Sequence, residues 1–265
     1  MISPAISSSG ATRSTHPSSM AARGMPKTMQ VFSSQAMVRP PCSLISRSPK
    51  APSLPMPVST MPTAPSPKAP GRGAVKAKKA VVIGSSTGGP GALERVMSSL
   101  PQDLKAGVLV VQHMPPGFTK SLADRLNKVS QLEIKEAEDG DVILEGRALV
   151  APGDYHMIVR KGVGAGRIVS MSQEPPVNRV RPAADVTMKS AARAFGGDAV
   201  GIVLTGMGSD GAFGLRDIKE QGGRTIACDE KTCVVFGMPR AAIELGCVDR
   251  VAPLDEIAGE IIKAI

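Results

Sequence analysis

Residues 80–90 read AVVIGSSTGGP, and this stretch decides the fold. Residues 80–83 are apolar throughout, which is typical of a strand that is buried on both faces. Pro90 suits the first turn of a helix, because the N–H that proline lacks has no partner at that position. Apolar residues then recur with helical spacing up to Leu100. The stretch therefore predicts a buried strand, a tight glycine-rich turn and a helix.

The same alternation continues towards the C-terminus. Further apolar runs predict strands at 108–111, 200–204 and 225–227, and helical spacing predicts helices at 118–126, 182–195, 214–221, 239–245 and 254–264. Residues 131–173 differ, because short β-like pieces alternate there with glycines, and this pattern indicates a hairpin-rich insert. Apolar strands separated by helices indicate a mostly parallel sheet with helices on both faces. We predict one doubly wound α/β domain at 80–265, with a β-hairpin-rich insert at about 131–173.

Residues 1–79 have a different composition. They contain eleven Lys or Arg and no Asp or Glu, so they carry a charge of +11, whereas residues 80–265 carry −2. They also hold 13 of the 23 prolines. Such a segment buries too little apolar surface to offset its ordering entropy, and we predict a disordered basic linker or tail. A transit peptide and an electrostatic tether to an acidic partner are the alternatives.

Composition also excludes several classes of function. Because the folded part is slightly acidic, it is not a basic nucleic-acid-binding domain, and one Tyr without any Trp provides no aromatic platform for single strands. The four cysteines and three histidines show neither a disulfide framework nor zinc-ligand spacing, so no metal or other cofactor is expected. No apolar run approaches the roughly 18–20 residues of a membrane span. We expect a cytoplasmic protein without membrane insertion.

Ser86 is the centre of a G-x-S-x-G pattern between the first predicted strand and helix. In that context the pattern presents a nucleophilic hydroxyl, and the exposed N–H groups of the turn offer a site for an oxyanion. The turn also fits two other roles. It is suited to capping the helix, and its glycines fit a phosphate-binding loop, although the P-loop spacing and its lysine are missing.

His113 and Asp210 follow two other predicted strands. The carboxyl ends of parallel strands share one edge of the sheet, so both residues are expected near Ser86. His16 lies in the tail and His156 begins a strand, which leaves His113 as the better base for a serine nucleophile. Asp210 is a candidate for the carboxylate that orients His113. Two alternatives stay open: Asp210 as a helix N-cap, and Asp229 as the orienting carboxylate.

Several long blocks resemble the chemotaxis protein-glutamate methylesterases, the CheB family. The matching blocks, in order, are IGSSTGGP, VVQHMPPGFTKSLADRLN, VAPGDYHM, RPAADV, VLTGMGSDGA and VVFGMPRAAI. The resemblance covers about residues 80–264 and implies a Ser-His-Asp triad of Ser86, His113 and Asp210. Thr87, Gly88 and Met207 are expected to line the substrate and oxyanion site.

The resemblance also implies an activity and a partner. It implies hydrolysis of glutamyl methyl esters on the cytoplasmic helices of methyl-accepting chemoreceptors, and often deamidation of receptor glutamines. Family members usually begin with a receiver domain, which needs acidic residues that 1–79 lack, so we expect a catalytic domain without a receiver, active without phosphorylation. The alternatives are a Rossmann-like nucleotide- or phosphate-binding protein and a non-catalytic adaptor that docks receptors.

Overall fold

A computed structural model describes residues 75–265 apart from 163 and 165, so the predicted tail up to residue 74 lies outside the described residues. Strands and helices alternate along the described part. The strands are β1 (Lys79–Ser85), β2 (Ala106–Gln112), β3 (Glu133–Glu136), β4 (Arg147–Val150), β5 (His156–Lys161), β6 (Arg167–Ser172), β7 (Ala199–Val203), β8 (Arg224–Cys228) and β9 (Arg250–Ala252). The α-helices are α1 (Gly89–Ser98), α2 (Phe118–Val129), α3 (Ala184–Phe195), α4 (Ala212–Glu220), α5 (Met238–Glu244) and α6 (Ile257–Ala264).

Seven of these strands form one parallel sheet in the order β3-β4-β2-β1-β7-β8-β9. Along the chain, β2 pairs with one side of β1, and β7 later pairs with the other side. The strand order therefore reverses between β1 and β7. In sheets of this kind the crevice at such a reversal, beyond the carboxyl ends of the strands, is where ligands bind.

The two faces of the sheet pack against separate helical layers. Val81 and Ile83 of β1 point into one layer with Leu93 of α1, and Val82 points into the other with Met188 of α3. All five side chains are fully buried, and burial of each contributes about 1.5–3 kcal/mol. This arrangement confirms the predicted doubly wound α/β fold class.

The region 131–173 is only in part the hairpin insert that we predicted. β5 and β6 do form an antiparallel hairpin outside the main sheet. β3 and β4 instead join the parallel sheet beside β2. The prediction was wrong there because the flanking glycines were given more weight than the apolar run at 148–150. Such a run is typical of a buried parallel strand. The prediction also missed β9, which is three residues long and too short to show a pattern.

Described residues that precede the predicted boundary at 80 pair with the rest of the fold. The Glu145 N–H donates to the Val75 carbonyl (2.9 Å), and the Ala77 N–H donates to the Ile143 carbonyl (3.0 Å). Ala77 is buried, and β1 already starts at Lys79. The lysines at 76, 78 and 79 interrupt the apolar pattern of this segment, so the pattern does not predict a strand there. Backbone pairing does not depend on side-chain polarity.

Candidate active site

The turn after β1 carries Ser86 at the carboxyl edge of the sheet. The Ser86 N–H donates to the Thr205 carbonyl (3.0 Å), and the Ser86 carbonyl accepts from the Gly89 N–H (2.8 Å) at the start of α1. Gly88 is the N-cap of α1 with φ 81°, and a Cβ there would lie 2.6 Å from the Cβ of Val234. The turn is therefore tight, and it places the half-buried Ser86 at a helix N-terminus, where the partial positive charge favours an anion.

His113 reaches the same edge from β2, the neighbour of β1. Ser85 and Gln112 are paired in register at the ends of the two strands. Ser86 and His113 are thus the first residues beyond a matched pair, and the His113 N–H donates to the Ser85 carbonyl (3.0 Å). Because adjacent strands lie about 4.8 Å apart, the two side chains start within reach of each other.

Asp210 arrives from the loop after β7, on the other side of β1. Its Oδ2 accepts from His113 Nε2 (2.7 Å) and from the Ala184 N–H (2.6 Å). Its Oδ1 accepts from Asn178 Nδ2 (2.9 Å) and from the Asp185 N–H (3.2 Å). The Asp210 side chain is 3% exposed and that of His113 is 11% exposed. Four donors therefore hold one buried carboxylate, and one of these donors is the predicted base.

The hydrogen bonds of Asp210 decide where the imidazole carries its proton. Burial alone raises the pKa of Asp210, but the bonds from His113, Ala184 and Asn178 outweigh it, so this pKa lies below its ordinary value of 3.8. An ionised carboxylate only accepts, so the proton between the two residues belongs to His113 Nε2. In the neutral ring, Nδ1 is then the nitrogen that accepts a proton.

Asp185, in the first turn of α3, is the counterpart of Asp210. Its Oδ1 accepts from the N–H groups of Gly211 (2.9 Å) and Gly214 (2.7 Å) at the start of α4. Its Oδ2 accepts from Asn178 Nδ2 (2.7 Å). Burial, and next the charge of Asp210, raise the pKa of Asp185 above 3.8. The alternative that Asp210 caps the helix following it is wrong, since Asp210 caps α3 while Asp185 caps α4.

Gln112 ties the two loops of Ser86 and His113 together. Its buried Oε1 accepts from Ser85 Oγ (2.8 Å), and its Nε2 donates to the carbonyls of Ser86 (2.9 Å) and His113 (3.1 Å). The sequence patterns indicated a role for neither Gln112 nor Asn178. For Gln112 there was a signal, because a polar residue ends an otherwise apolar strand directly before His113.

Thr87, Gly88 and Met207 lie around Ser86. Thr205 Oγ1 donates to the Thr87 carbonyl (2.9 Å), which holds that exposed turn against the loop after β7. Gly206 lies so close that a Cβ on it would be 2.8 Å from the Ser86 Cβ. Met207 follows it and is 71% exposed. The position of these residues is compatible with the expected lining, and their role stays a prediction.

Two other candidates from the sequence lie elsewhere. Asp229 accepts from the Thr232 N–H (3.0 Å) in the turn after β8, not from His113. His156 begins β5, as predicted, and its buried Nδ1 accepts from the Ala183 N–H (3.2 Å). Within the described residues no three His, Cys, Asp or Glu side chains gather into a possible metal site. The helices described there are too short or too polar to cross a membrane.

Comparison with known sequences points to one family. The family model for CheB methylesterase matches residues 81–261. A protein-glutamate methylesterase/protein-glutamine glutaminase of Pyrococcus horikoshii is 54% identical over 191 residues, which are 72% of this chain and 52% of that protein. The protein of the same name from Archaeoglobus fulgidus is 56% identical over 183 residues, 69% of this chain and 52% of that one. The chain thus spans about half the length of the curated relatives it matches.

Comparison with solved structures agrees. The crystal structure of the Thermotoga maritima CheB methylesterase catalytic domain has a TM-score of 0.69 and 45% sequence identity. The match covers 71% of this chain and 98% of that one. The likeness confirms the predicted fold class, and the comparisons do not favour a phosphate-binding protein or a non-catalytic adaptor.

Proposed function

The chain belongs to the CheB methylesterase family, and we propose that it hydrolyses the methyl esters of glutamate side chains in chemoreceptors. Ser86 is the proposed nucleophile, His113 the base and Asp210 the carboxylate that orients it. The observation that carries this proposal is the 2.7 Å bond between His113 Nε2 and the buried Asp210, at the strand end beside the Ser86 turn. The proposed partners are the cytoplasmic helices of methyl-accepting chemoreceptors, which places the reaction in the cytoplasm.

The first half of the proposed reaction forms an acyl-enzyme. Ser86 Oγ attacks the ester carbonyl while its proton passes to His113 Nδ1, and Asp210 stabilises the resulting imidazolium. The backbone N–H groups of the turns at Thr87 and Met207 stabilise the oxyanion. The intermediate then collapses, and methanol leaves with the proton from His113.

The second half regenerates the enzyme. His113 removes a proton from water, the water oxygen attacks the acyl carbon, and Ser86 Oγ leaves with that proton. The product is a free glutamate carboxylate. On a glutamine side chain the same steps release ammonia instead of methanol, so we also propose a protein-glutamine deamidase activity.

We further propose a two-part organisation of the chain. The catalytic domain takes up the residues from 80 onward together with 75–79, whose backbone pairs with it. The residues before it form a basic linker, a proposal that rests on their proline content and their lack of acidic residues.

Replacing the proposed nucleophile tests the mechanism. Ser86→Ala should lower hydrolysis of a small ester by at least about a thousandfold, as expected for loss of a triad member, and should abolish labelling by a fluorophosphonate. Ser98→Ala is the matched control, because Ser98 Oγ only donates to the Arg95 carbonyl at the exposed end of the same helix. Methanol release from methylated receptor then tests the substrate. Labelling that persists in the purified Ser86→Ala variant would refute the assignment.

A further inference from the structure

A groove of about 360 Å³ lies between β5 and α3, outside the proposed active site. Its floor is largely apolar, and its lining contains four cationic side chains and no carboxylate, namely Ile158, Val159, Arg160, Lys161, Val186, Lys189, Ser190, Arg193 and Ala194. Within the described residues none of these four cations has an ion pair. Residues 80–265 are slightly acidic overall, so this concentration of unpaired positive charge is local to the groove.

The groove is separate from the triad although both touch α3. Asp210 binds the first turn of α3, at Ala184. Lys189 and Arg193 lie five and nine residues further along the helix, about 8 and 14 Å away at 1.5 Å per residue. A ligand in the groove therefore leaves Ser86 accessible.

The edge of β5 that faces away from β6 borders the same groove. Among the strands that the structure describes, β5 pairs with β6 alone. In an antiparallel ladder both backbone polar groups of every second residue point away from the partner strand. Val159 is such a residue, since its N–H donates to Ser190 Oγ of α3 (2.9 Å). The Val159 carbonyl and the N–H and carbonyl of Lys161 therefore also point towards the groove. Side chains of α3 already occupy this edge at Met157 and Val159, and its exposed end is at Lys161. Backbone groups at an exposed strand end can pair with an extended peptide.

We propose that this groove binds an extended acidic segment of a partner protein. The carboxylates of the segment meet the four cations, and its alternate apolar side chains lie on the floor. Its backbone pairs with Lys161 at the exposed end of β5. Residues 1–74 of this chain are not the occupant, because they contain no Asp or Glu. The proposal stands apart from the proposed hydrolysis, since it uses none of the triad residues.

Fluorescence anisotropy with a labelled octapeptide of alternating Glu and Val tests the charge recognition. The full-length protein should bind this peptide and not the matching Lys-Val peptide. Lys189→Glu/Arg193→Glu should weaken binding more than about tenfold, and added salt should weaken it as well. The control is Lys128→Glu/Arg224→Glu, which reverses two exposed, unpaired cations elsewhere and should change binding less than about twofold. No binding by the wild type, or equal losses in both double variants, would overturn the proposal.

A second pair of variants tests the backbone pairing at Lys161. Lys161→Ala and Lys161→Pro both remove the charge, but only proline removes the N–H at the edge, a position where a sheet tolerates it. Lys161→Pro should bind the peptide several-fold more weakly than Lys161→Ala while both melt at similar temperatures. Equal affinities would refute pairing with β5. If the free protein instead forms dimers that Lys189→Glu/Arg193→Glu dissolves, the occupant is a second copy and the proposed partner is wrong.

Discussion

At the residue scale, the Asp210 carboxylate decides the proposed chemistry. Each of its oxygens accepts two hydrogen bonds, so an amide NH₂ in place of either oxygen faces two donors. Asp210→Asn should therefore lower turnover of a small ester by about 10⁴ and also lower the melting temperature. Steady-state kinetics and thermal unfolding measure the two effects. Asp229→Asn is the control, and it should turn over normally. Normal turnover in Asp210→Asn would show that Asp210 does not act in the proposed triad.

Gln112 provides a second prediction at this scale. Gln112→Glu keeps the acceptor for Ser85 Oγ but loses the NH₂ that donates to the Ser86 and His113 carbonyls. We expect kcat to fall about tenfold to a hundredfold with KM little changed, because small displacements of reacting groups are costly. Ser85→Ala removes the opposite end of this network and should have a smaller effect on kcat. A larger effect from Ser85→Ala would mean that Gln112 does not position the two loops through its NH₂.

The sequence singles out the proposed catalytic residues, but not the residues that hold them in place. Ser86, His113 and Asp210 each follow a strand end and carry reactive groups, so pattern and chemistry single them out together. The roles of Gln112 and Asn178 depend on which backbone carbonyls and carboxylates come within about 3 Å in the folded chain. No spacing in the sequence encodes that proximity.

At the scale of elements, α3 and α4 cap each other. Asp210, just before α4, caps α3, and Asp185, in the first turn of α3, caps α4. Asp185→Ala removes the acceptor of two N–H groups at the start of α4 and should lower the free energy of unfolding by about 1–2 kcal/mol. Asp185→Asn should cost less, since its amide oxygen still accepts from both N–H groups and the variant loses only the bond from Asn178 Nδ2. Urea unfolding at neutral pH compares the variants. Equal losses for Ala and Asn would show that the cap is not what Asp185 contributes.

The raised pKa of Asp185 predicts a pH dependence. The folded protein holds this proton more tightly than the unfolded chain, whose pKa is the ordinary 3.8. Ionisation of Asp185 therefore costs stability as the pH rises above that value. The side chain in Asp185→Asn does not ionise, so the variant does not lose this stability. The free energy of unfolding of the variant minus that of the wild type should therefore increase between about pH 4 and pH 7. A difference that stays constant with pH would contradict the raised pKa.

Elements were predictable where apolar runs were long. β1, β2 and β7 lie at the centre of the sheet, are buried on both faces and show continuous apolar patterns. β3 and β4 are four residues each, and their partner strand was not apparent from the sequence. In such short strands pairing is decided by neighbours that are distant in the chain, which local pattern does not report.

At the scale of the whole molecule, two truncations of different length test what the residues before the domain contribute. Removing residues 1–74 should change the rate on a small ester by less than about threefold, or roughly 0.65 kcal/mol. Removing residues 1–79 should in addition lower the melting temperature, because the backbone bonds of Val75 and Ala77 are lost. Strong activation by the shorter truncation would mean that the segment inhibits the domain.

The position of β7 beside β1 has a consequence for biosynthesis. Polypeptides leave the ribosome N-terminus first, so a nascent chain that has been translated only through β6 holds Ser86 and His113 but not Asp210. The edge of β1 that β7 covers is still open at that stage. Hydrolytic competence under the proposed mechanism is therefore acquired late in translation, and prematurely terminated products that stop before β7 lack the orienting carboxylate of the triad.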